Sequence, residues 1–226
     1  MPRVARIVIP GCPHHVTQRG NNQQDVFFVD DDRRTYLALL KDRCEAAGVT
    51  IVGYCLMTNH VHLIAVPAYE ASLAAALGRT HFSYTQYINR VHTRSGHLWQ
   101  NRFYSCGLDE PHLWTALRYV ERNPVRARLV RAAWRYPWSS AAAHIGERPD
   151  ASGLLDLAAW AVTWKPARWR ALLQEPLEEE ETERLWSHLR TGRPLASDNW
   201  LSKLEIKLGR RLRPLPVGRP KKDAVK

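Results

Sequence analysis

The run Asn59-His60-Val61-His62-Leu63-Ile64 constrains this chain more than any other. It opens a segment from His60 to Val66, bounded by Thr58-Asn59 and Pro67, in which every residue except the two histidines is apolar. A segment apolar on both faces reads as a central strand covered on both sides. Side chains two residues apart share one face of a strand, so His60 and His62 stand side by side. Buried imidazoles need partners, and two ring nitrogens on one face suit a divalent cation. The competing reading, two polar residues alternating on a half-exposed strand, fits the apolar flanks less well.

The neighbouring segments supply the rest of a fold. Val49 to Met57 is apolar and rich in β-branched residues, so it pairs with His60–Val66 as a tight antiparallel hairpin across Thr58-Asn59. Upstream, His15-Val16-Thr17-Gln18-Arg19 reads as a short strand ending at the turn cluster Gly20-Asn21-Asn22. Asp30-Asp31-Asp32 offers helix caps ahead of Tyr36, Leu39, Leu40, Cys44 and Ala47, with Gly48 placed to end that helix. A basic helical pattern with Arg79 and Arg90 fills Ser72–Val91, and Arg94-Ser95-Gly96 closes it. His97 to Leu108 reads as a further strand, and Asp109-Glu110-Pro111 starts another helix. In that helix Leu113, Leu117 and Val120 form the expected core face. Ala116, Tyr119 and Asn123 share a stripe away from it, with Tyr119 and Asn123 one turn apart. The order β-α-β-β-α-β-α implies an α+β fold on a ferredoxin-like antiparallel sheet. Beyond Ala143 the composition shifts to a tryptophan-bearing helical stretch (Trp160, Trp164, Trp169), and Glu178 to Glu181 reads as a solvated helix start. A short helix from Asp198 to Leu208 ends at Gly209, and the tail from Lys203 is strongly basic. Two units are therefore expected, a domain over 1–145 and a small helical C-terminal extension over 146–226.

The 33 Lys and Arg residues outnumber the 22 Asp and Glu, a net charge of +11 that favours a polyanionic partner, nucleic acid first. Cys12, Cys44, Cys55 and Cys106 are scattered without a C-x-x-C pair, which argues against a zinc ribbon or a disulfide framework. The sequence has no apolar run near the roughly 20 residues of a membrane span and no secretory signal at its start, so a cytoplasmic location is expected. Arg19, Arg90 and Arg102 are candidates to meet phosphates, and Trp99 or Phe103 to stack on bases. His14 is expected to be a solvated loop residue outside the metal site.

Four ordered blocks carry a more specific signal: His15-Val16-Thr17-Gln18-Arg19-Gly20-Asn21, Met57-Thr58-Asn59-His60-Val61-His62, Ser95-Gly96-His97-Leu98-Trp99-Gln100-Asn101-Arg102-Phe103, and Tyr119-Val120-Glu121-Arg122-Asn123-Pro124-Val125. Over roughly residues 5 to 145 the chain resembles the REP-associated tyrosine transposases, within the single-tyrosine HUH transposases of insertion sequences. That resemblance implies an HUH-endonuclease type of ferredoxin-like fold, with Tyr119 as nucleophile and His60 and His62 as metal ligands. Asn123 stands where insertion-sequence relatives carry glutamine as a further ligand. It also implies Mg²⁺ or Mn²⁺ as cofactor, and cleavage and rejoining of single-stranded or hairpin (palindromic repeat) DNA through a 5′-phosphotyrosine. The partner is then nucleoid DNA, and the protein a monomer or homodimer. In the tail, Gly218-Arg219-Pro220 is similar to arms that insert arginine into a minor groove, but Val217 stands where such arms carry a further arginine, so the segment reads as a basic DNA-contacting tail with Arg219 as its candidate. Two other readings remain at this stage. One is a repeat-binding protein on the same scaffold that does not cut, against which the intact His60, His62 and Tyr119 argue. The other is an RNA-binding module, which would need exposed stacking aromatics on the sheet.

Overall fold

The computed structural model describes residues 6–213. Along the chain run β1 (His14–Arg19), α1 (Asp30–Ala47), β2 (Val49–Met57), β3 (His60–Pro67), α2 (Ser72–Val91), β4 (Tyr104–Gly107) and α3 (Glu110–Arg126). The remainder is helical: α4 (Ala141–His144), α5 (Leu157–Thr163), α6 (Pro166–Gln174), α7 (Glu179–Thr191) and α8 (Asp198–Leu208). The strands form one antiparallel sheet in the order β2-β3-β1-β4, which is the ferredoxin-like arrangement. β3 lies inside the sheet, as its two apolar faces require.

Local chemistry explains the boundaries. Asp32, fully buried, accepts from the backbone N–H groups of Phe28 and Val29 and closes the first turn of α1. Gly48 ends that helix at φ 64°, a left-handed conformation that costs glycine nothing. The Asp109 side chain caps α3 by accepting from the His112 backbone N–H. α7 begins at Glu179, so the acidic run sits at a helix N-terminus, where the macrodipole favours negative charge.

The pleat divides the side chains between two cores. Val16, Leu56, Val61, Leu63 and Ala65 face α1 and α2. Cys55, Met57, Ile64 and Cys106 face α3. The second cluster continues without a break into Trp160, Trp164, Trp169, Leu173, Leu185 and Leu189, so residues on either side of position 145 share one core. For this reason α3 is buried on nearly every side. Leu117 and Val120 are buried as expected, but so are Ala116, Tyr119 and Asn123, which turn toward the sheet rather than away from the core.

The strand expected from His97 to Leu108 is reduced to Tyr104–Gly107. Gly96 at φ 84° and Asn101 at φ 56° put two left-handed residues into the preceding segment, which therefore loops instead of pairing. A single bridge, Gly20 to Trp99, and the bond from Gln100 N–H to the Arg19 carbonyl hold that loop beside the end of β1. At Gly20 an added Cβ would lie 2.1 Å from the backbone oxygen of Gln24, a contact no side-chain motion relieves. Gly20→Ala is therefore expected to cost about 1–3 kcal/mol, seen as a lower midpoint in urea unfolding. An unchanged midpoint would show that the 20–24 turn yields freely.

Candidate active site on the α3 face of the sheet

The hairpin and its register assemble the site. His60 lies opposite Arg19 and His62 opposite Thr17, while Thr17 also lies opposite Tyr104 and His15 opposite Ile64. Directly opposed residues share a face, so His15, Thr17, Arg19, His60, His62 and Tyr104 all lie on the side that α3 covers. From α3, Tyr119 meets His62 edge-on at 5.6 Å between ring centroids, and His15 at 5.9 Å. Asn123 follows one turn later, buried at 2% exposure beside Tyr119 at 2%. Arg126 donates to the Tyr119 hydroxyl at 2.8 Å. From the extension, the Trp186 ring closes the group at 6.2 Å from both His62 and Tyr119.

Among the described residues, no group of three or more His, Cys, Asp or Glu side chains is arranged to hold a metal ion. The candidate donor set is instead two imidazoles and an amide, and their bonding fits a cation. The Asn59 amide NH₂ donates to the Gln23 carbonyl, so its oxygen faces His60 Nδ1 at 2.6 Å and accepts that proton. His60 Nε2 is left as a lone pair. His62 Nδ1 lies 3.1 Å from His15 Nε2, while His62 Nε2 is buried with no hydrogen-bond partner, as is Asn123 Nδ2. Buried polar atoms without partners are costly: a cation satisfies the His62 Nε2 lone pair, whereas the Asn123 Nδ2 group is a donor that an acceptor such as a phosphate oxygen satisfies. Burial, then the charges of Arg19 and Arg126, lowers His60 to about 4. Burial, then His60, His15, Arg126 and Arg19, holds His62 well below the usual range. Both rings are thus neutral near pH 7, the form that coordinates metal.

Burial raises the pKa of the Tyr119 phenol; against this act the charge of Arg126, then the nearby Asn123 amide and Trp186 indole, then the Arg126 hydrogen bond. The guanidinium also lies over the ring, 5.1 Å from its centroid. The site therefore places a cation against the one oxygen that would have to become an anion in nucleophilic attack.

The residues singled out from sequence divide. Tyr119, His60, His62 and Asn123 come together, with Arg19 exposed at their edge. Arg90 is exposed on α2, across the sheet from this site, and Arg102 is exposed on the loop before β4. Trp99 is not a stacking platform. It is 8% exposed, packs 4.6 Å from the His81 ring, and donates its indole N–H to the His81 carbonyl. Phe103 is buried too, under the Arg6 guanidinium. His14 lies outside the metal donor set, yet it is a fully buried strand residue rather than a solvated one, bonded to the Cys12 carbonyl and the Ile9 N–H. Arg219 lies outside the described residues.

His15, Arg126 and Trp186 were not identified from sequence. Alternation marked His15, since it shares a face with Thr17 and Arg19, and Arg126 stands two turns from Tyr119. Nothing local marked Trp186.

The antiparallel sheet thus carries a neutral histidine pair beneath a helix-borne tyrosine. A solved REP-associated tyrosine transposase bound to a REP hairpin has a similar fold, with a TM-score of 0.57 and 16% identity over 66% of this chain and 89% of that one. A protein of Haemophilus influenzae named as a REP-associated tyrosine transposase is 25% identical over 124 residues, 50% of this chain and 68% of its own length. The model of the family described as transposase IS200 like matches residues 9–123, just over half of the chain. The chain belongs to the IS200-like transposase family. No helix among the described residues is long and apolar enough to cross a membrane.

Proposed function

We propose that this protein cleaves and rejoins single-stranded or hairpin DNA of palindromic repeats by moving a phosphodiester onto Tyr119. The observation that carries the reading is the Tyr119 phenol held between His62 and the Arg126 guanidinium on one face of the sheet. Family membership and the repeat hairpin bound by the solved relative support the choice of substrate.

Tyr119 Oη forms the new bond to phosphorus while the bond from phosphorus to the 3′ oxygen breaks. The phenol gives up its proton, the departing strand ends in a 3′-OH, and the 5′ phosphate stays on the enzyme. A 3′-OH attacking that phosphotyrosine reverses the exchange without an outside energy source, because one phosphodiester replaces another. Arg126 stabilises the phenolate and aims its oxygen. His60, His62 and Asn123 would hold Mg²⁺ or Mn²⁺, which when bound supplies Lewis-acid polarisation of a non-bridging phosphate oxygen. Arg19, at the open edge, is placed to meet an adjacent phosphate.

His15 is a positioning residue in this scheme. For His62 Nε2 to offer a lone pair, its Nδ1 must carry the proton, and His15 Nε2 is the atom placed to accept it. His15→Phe fills the space but removes the acceptor. It is expected to weaken Mn²⁺ binding about 10–100-fold in calorimetry, and His15→Gln to recover part of the loss. Equal affinity in all three proteins would remove His15 from the scheme. The whole reading is tested by incubating the protein with labelled repeat-hairpin DNA and Mg²⁺ or Mn²⁺, then denaturing. A metal-dependent covalent protein–DNA band is expected, and its absence with both metals would overturn the proposal.

A further inference from the structure

The block from Gly96 to Phe103 does not enter the catalytic site, and the structure gives it another neighbour. Together with α2 it walls a groove of about 630 Å³ on the opposite face of the sheet. Along α2 the groove is floored by Ala74, Gly78, Phe82 and Gln86, successive residues on one helical stripe. Gly78 opens onto space, since a Cβ there would meet nothing within 4 Å. Phe82 is 64% exposed, an aromatic face turned to solvent that no core claims.

Facing this stripe are two cations. Arg6 lies 3.6 Å over the Phe103 ring and donates to the Phe103 carbonyl, which fixes its guanidinium in place. Arg102 is close enough for its charge, after burial, to disfavour the charged form of Arg6. Among the described residues no carboxylate lines the groove, and neither arginine forms an ion pair. Two like charges held together without a counter-ion repel one another, and an anion relieves that repulsion. The loop that carries Arg102 is hydrogen-bonded to β1 at Arg19, whose side chain lies on the catalytic face. The loop that walls the groove is therefore tied to the strand whose Arg19 side chain lies on the α3 face.

We propose that this groove is a second DNA site, in which Arg6 and Arg102 hold the phosphates of an unpaired strand and Phe82 stacks on one of its bases. The proposal rests on the DNA reading above and extends it from the cleaved phosphate to a strand path across the sheet edge. Charge and an exposed ring together specify single-stranded nucleic acid: guanidinium pairs take phosphates, and stacking on an aromatic requires a base freed from its partner.

The test uses the full chain carrying Tyr119→Phe, so that bound DNA is not consumed. Fluorescence anisotropy compares a hairpin bearing a single-stranded extension with the same hairpin blunt-ended. Phe82→Ala is expected to weaken binding of the extended hairpin about tenfold. Arg102→Gln is expected to lower the slope of log affinity against log salt by about 0.7, the release expected for one single-strand phosphate. Both residues are exposed, so neither change should disturb folding, and the blunt hairpin should bind each variant as it binds the parent. Unaltered binding of the extended hairpin, or equal losses on both DNAs, would overturn the groove assignment alone. So would a dimer that Phe82→Ala dissociates without changing DNA affinity, since the groove would then belong to a second copy of the chain. Failure of the parent to bind either DNA would take down the DNA reading as well.

Discussion

Tyr119→Phe is expected to bind hairpin DNA like the parent and to form no covalent adduct with it. The substitution removes one oxygen and keeps the ring that packs against His15, His62 and Trp186. The lost hydrogen bond is to Arg126, which is exposed, so the stability change should stay within about 1 kcal/mol. Chemistry has no such reserve. Loss of a nucleophile costs on the order of 10⁴ or more in rate, which puts the adduct below detection. Denaturing gels read the adduct, and anisotropy on the same samples reads binding. An adduct that survived would move the nucleophile elsewhere, and the structure narrows the choice. Tyr84 is fully buried on the other side of the sheet, donating to the Val26 carbonyl, and Tyr87 lies on α2 beside it. Tyr104, 46% exposed and opposite Thr17 on the catalytic face, would be the remaining candidate.

The largest stability effect is expected at Glu121. Its carboxylate is fully buried on α3 and accepts from Ser140 Oγ, His144 Nδ1 and, at 2.8 Å, Trp169 Nε1. These partners come from three separate places: the segment before α4, α4 itself and α6 of the extension. His144 in turn stacks on Trp160 with ring centroids 3.7 Å apart. Glu121→Leu leaves the buried N–H groups of His144 and Trp169 without an acceptor and Ser140 Oγ with only its longer 3.3 Å bond to the Tyr54 carbonyl, and breaking such a network by removing one member costs about 3–5 kcal/mol. In a chain of this length that corresponds to a melting temperature lower by roughly 10–15 °C, read by calorimetry or by tryptophan emission in urea. A loss under about 1 kcal/mol would mean that water or rearranged side chains satisfy those donors. Glu121 stands two residues from both Tyr119 and Asn123, so the same network anchors the helix that carries them, α3, to α4 and α6. Weaker DNA cleavage at temperatures where Glu121→Leu is still folded is the expected functional echo.

Much of the architecture was legible because its causes are local. The apolar character of His60–Val66 on both faces required helices on both sides of the sheet, and α1, α2 and α3 provide them. Asp109 and Gly48 marked helix ends through cap chemistry that involves only nearby backbone groups. The i, i+4 spacing of Tyr119 and Asn123 places them together on one side of α3. Aromatic residues were less readable. Trp99 and Phe82 carry the same chemical signature, yet one is buried among His81, Tyr36 and Tyr84 and the other stands in solvent. The pattern around Trp99 cannot distinguish a stacking platform from a core side chain, because both use the same apolar face. The loop from Gly96 to Asn101 defeated the strand reading for a related reason: Leu98 and Trp99 are both buried in the core on the α1–α2 side, while Gly96 and Asn101 take left-handed backbone that a strand does not.

From the sequence alone came the order of strands and helices along the chain, the histidine pair, the tyrosine one turn before its amide, and the basic character that points to nucleic acid. Periodicity and capping act over a few residues, and that information is written in the order of the side chains. Only the folded chain decided that His15 meets His62 across 47 positions, that Arg126 turns back onto the phenol, and that Trp186 from the extension reaches the same point. Strand register and helix packing choose such partners by the burial of whole faces, a property of the assembled molecule that no short stretch of it contains.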